Sequence, residues 1–397
     1  MTQKKNPNLK LMEPPDPEKP KKKKRRRRRI RPGKLLTNIF LAVMVLLGTY
    51  LLLTNHLYHK VSQTASYKRE TSDSNRYASF RNGIIRYGRN GVTFLSRQNE
   101  VLWIQPGQFQ NPALEVNDQT FAVADTGGNS IQIFTDKGLK GEFETNLPIE
   151  KFSLSNQGIV SAILKNENSP MIVTYDSTGN ILVENQVVTG SMGYPVALEM
   201  SPDGKVLLVS YLDMKNSTLK SRVAGYNFVE EGTDRENHQV SMEEYEDSVI
   251  PEIFFMDAVT SVAVGDHSFS ISKGSRIPEK TTEVELFREI RSTFHTSRYI
   301  GFVLLNEEKS GYELRLYSKS GKQIMNRAIS GEFSNVYMEG NEIILYEGSR
   351  CSIYTSMGMP RFDGDLKDDI LMMIPMEGIN RYMMMSTDEL RVIYLAG

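Results

Sequence analysis

Histidines are considered first because imidazole is both a metal ligand and an acid–base group. The sequence has five, and only His56 and His59 lie close together, at a spacing that would place both on one face of a helix. Two ligands without a third make a weak metal site. His267 and His295 are isolated within or beside predicted strands and are interpreted as surface residues. We therefore predict no metal site and interpret the close pair as solvated.

Two other stretches contain potential ligands. The glycine-rich ADTGGNS (124–130) lies between two predicted strands, whereas a phosphate cradle needs a following helix N-terminus, so a wide turn is favoured. Asp125 and Asn129 within it are too few ligands for calcium. The run Met383–Met385 could suit Cu(I), but alternate residues of a strand point to opposite faces. Flexible core packing is favoured for these methionines.

The single cysteine, Cys351, excludes a disulfide within the chain. Since no histidine–aspartate pair or helix start lies beside it, we predict a small buried apolar residue rather than a reactive thiol. The motifs G-x-S-x-G, H-E-x-x-H and the P-loop do not occur in the sequence. We therefore predict that the protein is not an enzyme, with no catalytic residue and no cofactor.

The N-terminal segment of the chain differs sharply in charge from the remainder. Residues 1–34 hold 15 Lys and Arg against 3 Asp and Glu, a net charge of +12, which leaves a net charge of −12 for the remainder. So sharp a division predicts two parts in two environments. The tail also has a proline-rich lead, EPPDPEKPKKKK, and we predict that residues 1–34 form a disordered, basic cytoplasmic segment.

A membrane anchor is predicted directly after this tail. Leu35–Leu53 contains no charged residue, and as a helix its 19 residues cover roughly 28 Å, close to the ~30 Å hydrocarbon core of a bilayer. We predict one transmembrane helix over 35–54. A cleaved signal peptide is the alternative, which the length of the apolar run and the lack of a convincing cleavage site disfavour.

Ten basic residues before this helix predict its orientation, because Lys and Arg stay on the side from which translocation starts. The protein is then a single-pass cell-membrane protein with a cytoplasmic N-terminus and an extracytoplasmic C-terminal part. Anionic lipid headgroups are the predicted partner of the basic run. The alternative is that the basic run docks nucleic acid or a cytoplasmic protein. Nucleic acid is not expected, because no aromatic residues are interleaved with the basic residues. The lipid-contacting residues are Lys21, Lys22, Lys23, Lys24, Arg25, Arg26, Arg27, Arg28, Arg29 and Arg31.

The C-terminal part is a repeat of short apolar runs separated by turns, without a sustained helical period, which predicts an all-β fold. The most regular feature is an aromatic residue followed four positions later by glycine, as in FTDKG, YDSTG, YSKSG and YTSMG. Aromatic markers of the third strand of each unit recur every 37 to 51 residues. They are Phe94, Phe134, Tyr175, Tyr226, Phe269, Tyr317, Tyr354 and Tyr394.

This period predicts a β-propeller of four-stranded antiparallel blades over residues 76–397. Eight markers predict eight blades, and seven is the alternative if the two ends share one blade. The last unit stops after its third strand, RVIYLAG, which leaves an edge to be paired. We predict that residues 55–75, otherwise a polar stalk, donate the closing strand from within 60–75.

One hairpin carries a family resemblance. SPDGKVLLVSYL (201–212) resembles the S-P-D-G-K hairpin of WD-repeat-like and quinoprotein-like propellers. The whole layout is similar to an uncharacterised family of Gram-positive bacterial single-pass membrane proteins, and that resemblance implies a propeller ectodomain and no catalytic residues. Quinone-binding propellers have a tryptophan in each blade, whereas this chain has only Trp103. Trp103 is predicted to pack in the core at the last strand of the first blade.

The predicted function is that of a binding or scaffold module of the cell envelope, whose propeller face contacts an unknown envelope protein or wall polymer. The alternative is an extracytoplasmic carbohydrate-active enzyme, a lyase or hydrolase, using carboxylates at the propeller funnel. A sensor that signals inward is a third, weaker hypothesis. The acidic stretch 229–248 is interpreted as a solvated loop joining blades four and five, with a lid over one face as the functional alternative.

Overall fold

A computed structural model of the chain describes residues 32–54, 56–69, 75–167, 169–214, 219–229, 232–233, 235–306, 311–331 and 333–396. It contains eight four-stranded antiparallel sheets, and these form the eight blades of a propeller. The predicted all-β fold and the blade number of eight are therefore confirmed. The ten basic residues at 21–31 lie outside the described residues.

Each blade begins with a strand at the centre of the ring and continues outwards. The first strands of blades 1 to 8 are β2 (Arg76–Phe80), β6 (Pro112–Val116), β10 (Ile149–Leu154), β14 (Tyr194–Met200), β18 (Glu252–Phe255), β22 (Ile290–His295), β26 (Asn335–Glu339) and β30 (Met372–Pro375). The second strands are β3 (Gly83–Gly88), β7 (Phe121–Asp125), β11 (Val160–Leu164), β15 (Val206–Asp213), β19 (Thr260–Val264), β23 (Tyr299–Asn306), β27 (Glu342–Glu347) and β31 (Arg381–Met385).

The outer half of each blade follows the same order. The third strands are β4 (Gly91–Ser96), β8 (Ser130–Thr135), β12 (Met171–Tyr175), β16 (Lys220–Asn227), β20 (Ser268–Lys273), β24 (Gly311–Ser318), β28 (Arg350–Thr355) and β32 (Glu389–Ala396). The outermost strands are β5 (Val101–Pro106), β9 (Gly138–Glu144), β13 (Ile181–Gln186), β17 (Gln239–Glu246), β21 (Glu279–Glu285), β25 (Gln323–Ile329), β29 (Pro360–Asp365) and, for blade 8, β1 (Lys60–Lys68).

The aromatic-to-glycine step marks the turn between the third and outermost strands. All eight aromatic markers lie in third strands. The glycines of the four quoted motifs have φ between 76° and 124°, the left-handed region that favours glycine. At Gly179 a side chain would also collide, because an added Cβ would lie 2.5 Å from Cβ of Phe143. Backbone geometry and close packing therefore both account for this glycine.

The ring is closed by its own N-terminal segment. Strand β1 pairs with β32 from Lys60 opposite Ala396 to Lys68 opposite Glu389, and so completes blade 8. Just before it, the backbone N–H of Tyr58 donates to the carbonyl of Arg361 at 2.7 Å, and the Tyr58 side chain is buried. The two histidines beside Tyr58, His56 and His59, are exposed and lie outside any helix.

Neighbouring blades are joined by apolar side chains that alternate along the strands. Trp103 of blade 1 stacks on Phe134 of blade 2, with ring centroids 5.3 Å apart and planes at 12°. Its indole N–H donates to the carbonyl of Asp136 at 3.1 Å. In blade 8, Met384 packs in a different apolar cluster from Met383 and Met385, as alternation along a strand requires.

The described residues also form two helices and one 3₁₀ turn, which are α1 (Pro32–Thr54), α2 (Thr189–Met192) and the 3₁₀ turn Glu236–His238. Helix α1 coincides with the segment predicted to be transmembrane, and its side chains are described at 36–50. Over the described part of the chain, no helix combines the length and apolar character that a membrane crossing requires.

The interpretation of the acidic stretch 229–248 as a loop between blades is wrong for its second half. Residues 239–246 form β17, the outermost strand of blade 4, which pairs along β16. Glu244 lies 2.6 Å from Nζ of Lys220 and 2.9 Å from Nε of Arg222. These acidic side chains therefore complement basic residues of their own blade, and the periodicity of QVSMEEYE is that of a half-buried strand.

Candidate functional site

The centre of the ring contains a cavity of about 480 Å³. First strands β6, β10, β14, β18 and β22 of blades 2 to 6 contribute to its wall. Alternate side chains of a regular strand point to opposite faces, but the ladder of β10 is irregular between Ile149 and Lys151, and both Glu150 and Lys151 line the cavity. The ionisable residues of its lining are Glu115, Glu150, Lys151, Glu199, Glu252 and His295.

Glu115 of blade 2 and Glu199 of blade 4 are the most perturbed carboxyls of this cavity. Enclosure by protein raises the pKa of Glu115 to about 7. For Glu199, enclosure first and the charge of Glu115 second raise the pKa well above its ordinary value. The Ser153 hydroxyl donates to Oε2 of Glu199 at 3.1 Å and accepts the backbone N–H of Met200 at 2.9 Å. Two acids from separate blades thus influence one another across the cavity.

His295 presents one flat imidazole face to the same cavity, and its other face stacks on the buried ring of Phe254. Their ring centroids lie 3.9 Å apart and their planes differ by 6°. The imidazole is open to the cavity, but the surrounding wall displaces bulk water, and this burial lowers the pKa of His295 to about 4. His295 is exposed, as predicted, and β22 places it where it lines the channel cavity, a location not anticipated from the sequence.

The remaining ionisable groups of the lining have partners. Oε2 of Glu150 accepts the Tyr194 hydroxyl at 2.7 Å, and Glu252 accepts the hydroxyl of Thr293. Nζ of Lys151 donates to the carbonyl of Val196 at 2.5 Å. The lining therefore has four carboxyl groups against one ammonium, an excess that focuses negative potential in a narrow, protein-walled space when the acids are ionised.

One mouth of the channel is formed by turns that follow the first strands. A second cavity of about 410 Å³ lies there, and it shares Val116, Asn117, Phe255 and His295 with the channel cavity. Asn156, in the turn after β10, also lines this mouth, and its buried side-chain oxygen lacks a hydrogen-bond partner within the described structure. The mouth is therefore lined by polar residues, although the Asn156 oxygen itself is covered by protein.

The residues singled out from the sequence lie elsewhere. Oδ1 of Asp125 accepts the backbone N–H groups of Gln110 and Asn111 at 2.8 and 2.7 Å, so it organises a turn. Cys351 is fully buried, with Sγ 3.5 Å from the sulfur of Met373, and burial raises the pKa of its thiol. The described residues contain no group of three His, Cys, Asp or Glu suited to hold a metal ion.

The comparisons with known proteins agree with this architecture. A model of the family of unknown function DUF5711 matches residues 54–395, nearly the whole propeller with its closing strand. The chain belongs to this family. No curated protein matches the DUF5711 chain.

Solved structures resemble the DUF5711 chain in fold. The crystal structure of Sqt1 from Saccharomyces cerevisiae aligns over 86% of this chain and 100% of that chain, with 10% identity and a TM-score of 0.52. BamB from Moraxella catarrhalis aligns over 84% and 100%, with 11% identity and a TM-score of 0.49. At such identities the likeness shows the fold alone. The propeller fold is thereby confirmed, and the Gram-positive source and single membrane pass implied by the resemblance remain predictions.

Proposed function

We propose that the protein is a binding or scaffold module that receives its partner at the channel mouth. The observation that supports this proposal is the continuous channel and mouth, which share lining residues and join the enclosed carboxyls to the polar turns of the mouth. Such a concave site with a few convergent polar groups is the usual form of a binding site. The partner is an envelope protein or wall polymer.

The proposal places this module outside the cell, held by one membrane helix. Its support is the uncharged run Leu35–Leu53, preceded by the basic residues 21–31 that would keep the N-terminus in the cytoplasm. Large apolar side chains on the described turns of helix α1, such as Phe40 and Leu46, are 65% and 68% exposed. Lipid would cover such side chains, and anionic headgroups would contact the basic run.

Site-specific photocrosslinking in the native cells tests the binding proposal. A photoreactive residue at Ser297, in the exposed turn after β22 at the mouth, should yield a discrete crosslinked species. The matched control is Thr387, an exposed turn residue between β31 and β32 at the opposite end of the blades, which should yield none. Equal crosslinking from both positions, or none from Ser297, would contradict the proposal.

A carbohydrate-active enzyme is the second candidate function, and the carboxyls in the channel are the observation that favours it. A carboxyl with a pKa of about 7, such as that of Glu115, suits a proton donor at neutral pH. Incubation of the full chain with envelope polysaccharide distinguishes the two functions. The binding proposal predicts no new reducing or unsaturated ends, whereas the enzyme predicts their release and its loss in Glu115→Gln.

A further inference from the structure

The channel lining has negative charge that its own basic residue does not balance. Glu115, Glu150, Glu199 and Glu252 face the cavity, and Lys151 donates to a backbone carbonyl. Carboxylates that share an enclosed space disfavour one another's ionisation. A cation placed among them would remove that repulsion and allow them to ionise.

Glu115 is a second and independent indication of a missing ligand. Its carboxyl makes neither a hydrogen bond nor an ion pair with any residue that the structure describes, although protein encloses it on the channel wall. Enclosing a carboxylate without a partner is costly, and ordinary buried acids are paired or hydrogen-bonded. Glu199, by comparison, has the Ser153 hydroxyl as its donor. Glu115 is half-buried, so its carboxyl can take a partner from the cavity side.

The flat surface beside the acids indicates the shape of the cation. His295 stacks on Phe254, and its imidazole nitrogens have no hydrogen-bond partner in the described part of the chain. An aromatic face packs well against methylene groups and attracts an ammonium. A cavity of about 480 Å³ also exceeds what a bare ion fills. These features suit an organic cation with an apolar stem.

We propose that the channel binds an alkylammonium group, with its head beside Glu115 and Glu199 and its stem along the exposed imidazole face of His295. The inference rests on the proposed binding function and specifies its ligand chemistry. Two sources supply this group, a free polyamine and a lysine side chain of a partner protein. The channel discriminates against neutral ligands with a stem of the same length, because such ligands leave the carboxyl of Glu115 without a counter-charge.

Calorimetric titration of the full chain at 150 mM salt tests the proposal, with spermidine and Nα-acetyl-lysine methylamide as the two probes. At least one probe should bind, and the tighter one identifies the source. Glu115→Gln and Glu199→Gln should each weaken binding about tenfold, the size expected for one charge-assisted contact. The control is Glu144→Gln, the same charge change at an exposed position of β9 in blade 2, which should leave affinity unchanged.

Proton release is a second measurement, independent of affinity. At pH 6 binding should expel a proton from Glu115, detected as a buffer-dependent heat, and Glu115→Gln should reduce this release. The other titratable or charged groups that face Glu115 are the same in the wild type and in Glu115→Gln. They are Tyr87 on β3 of blade 1, together with Glu150, Lys151, Glu199, Glu252 and His295 around the cavity.

Three results would overturn the inference: no binding of either probe to the wild type, binding unaffected by both channel variants, or an equal loss in Glu144→Gln. If Glu115→Gln fails to fold, Glu199→Gln and Glu252→Gln carry the same test. The photocrosslink from Ser297 is measured in parallel. If the crosslink forms but neither amine binds, only this inference is overturned. If the crosslink does not form, the result counts against the proposed function itself.

Discussion

Glu115 shows how strongly a residue's surroundings determine its chemistry. On an open strand surface a glutamate ionises near its ordinary pKa of 4.5, whereas enclosure in the channel raises its pKa to about 7. Neither its neighbours in the chain, Leu114 and Val116, nor its spacing from other acids indicates this. The shift arises because first strands of several blades meet around one cavity.

Glu115 should make stability depend on pH in a defined window. A carboxyl with a raised folded-state pKa stabilises the fold fully below pH 4.5 and loses that contribution as the pH rises to about 7. In this window the wild type should lose up to about 1.4 kcal/mol per pH unit relative to Glu115→Gln. Thermal unfolding of both proteins from pH 4.5 to 8 measures the difference.

His295 must be separated from this effect, because its lowered pKa acts in the opposite direction. Its folded-state pKa is about 4, so acidification below pH 6.5 destabilises the fold. Both proteins retain His295, and the comparison therefore cancels its contribution. A difference between wild type and Glu115→Gln that does not change with pH would contradict the raised pKa of Glu115.

Trp103 is a second residue whose role follows from its contacts. It stacks on Phe134 across the boundary between blades 1 and 2 and donates to Asp136. Trp103→Ala should lower the free energy of unfolding by about 2–4 kcal/mol, since the stacked surface and the hydrogen bond are both lost. The matched control is Leu102→Ala, whose side chain is 54% exposed and should cost about 0.5 kcal/mol or less. Urea unfolding of both variants measures these values, and equal losses would contradict the packing.

At the scale of elements, strand β1 determines whether the ring is closed. It covers an edge of β32, whose side chains Ile393 and Leu395 belong to the apolar cluster between blades 7 and 8. Without β1 this edge would expose unpaired backbone groups next to an apolar core, a combination that promotes aggregation. Closure therefore joins the two ends of the propeller in one blade.

Replacing residues 60–68 by a glycine–serine linker of equal length should abolish cooperative folding. Each lost backbone hydrogen bond removes about 0.5–1.5 kcal/mol, and β1 pairs over eight positions. Circular dichroism melting and size-exclusion chromatography should show an early, broad transition and aggregates. The control changes only the exposed side chains Ser62 and Gln63 to alanine and should behave as the wild type. A linker variant that melts like the wild type would show that β1 is dispensable.

The elements could be predicted from the sequence to a large extent, because each blade repeats one local pattern. The markers from Phe94 to Tyr394 identify every third strand, since an aromatic residue before a tight glycine turn is a local signal. The strand at 239–246 escaped prediction, because its acidic residues outweighed the alternation of more buried and exposed positions that runs from Ser241 to Glu246. Local signals thus predict the blades. Composition gives the wrong element where an outermost strand is strongly charged, because such a strand is taken for a loop.

At the scale of the whole molecule, the site could not be predicted. Glu115, Glu199 and Glu252 belong to blades 2, 4 and 5, and only ring closure brings them to one cavity. No spacing in the sequence expresses that closeness, because the separation depends on the loops and strands of the intervening blades. For the same reason, the exposed His295 could not be assigned to this cavity. A possible signal is an acidic residue flanked by buried apolar residues in a first strand, as at Glu199.

The membrane topology is also a property of the whole molecule, and cysteine labelling tests it. Cys351 is fully buried, so the wild type should stay unlabelled by a membrane-impermeant maleimide. Ser320→Cys, in an exposed turn of blade 6, should be labelled in intact cells. Thr2→Cys, in the basic tail, should be labelled only after permeabilisation. The reverse pattern would contradict an extracytoplasmic propeller.

The pKa of Glu199 in the wild type and in Glu115→Gln tests the channel most directly. Carbon-13 NMR of selectively labelled glutamate carboxyls gives this value, and Glu144→Gln serves as the control. If blades 2 and 4 present both acids to one enclosed cavity, the pKa of Glu199 lies well above 4.5 and falls when Glu115 is neutralised. A pKa of Glu199 that is ordinary in the wild type, or unchanged by Glu115→Gln, would contradict the shared channel site.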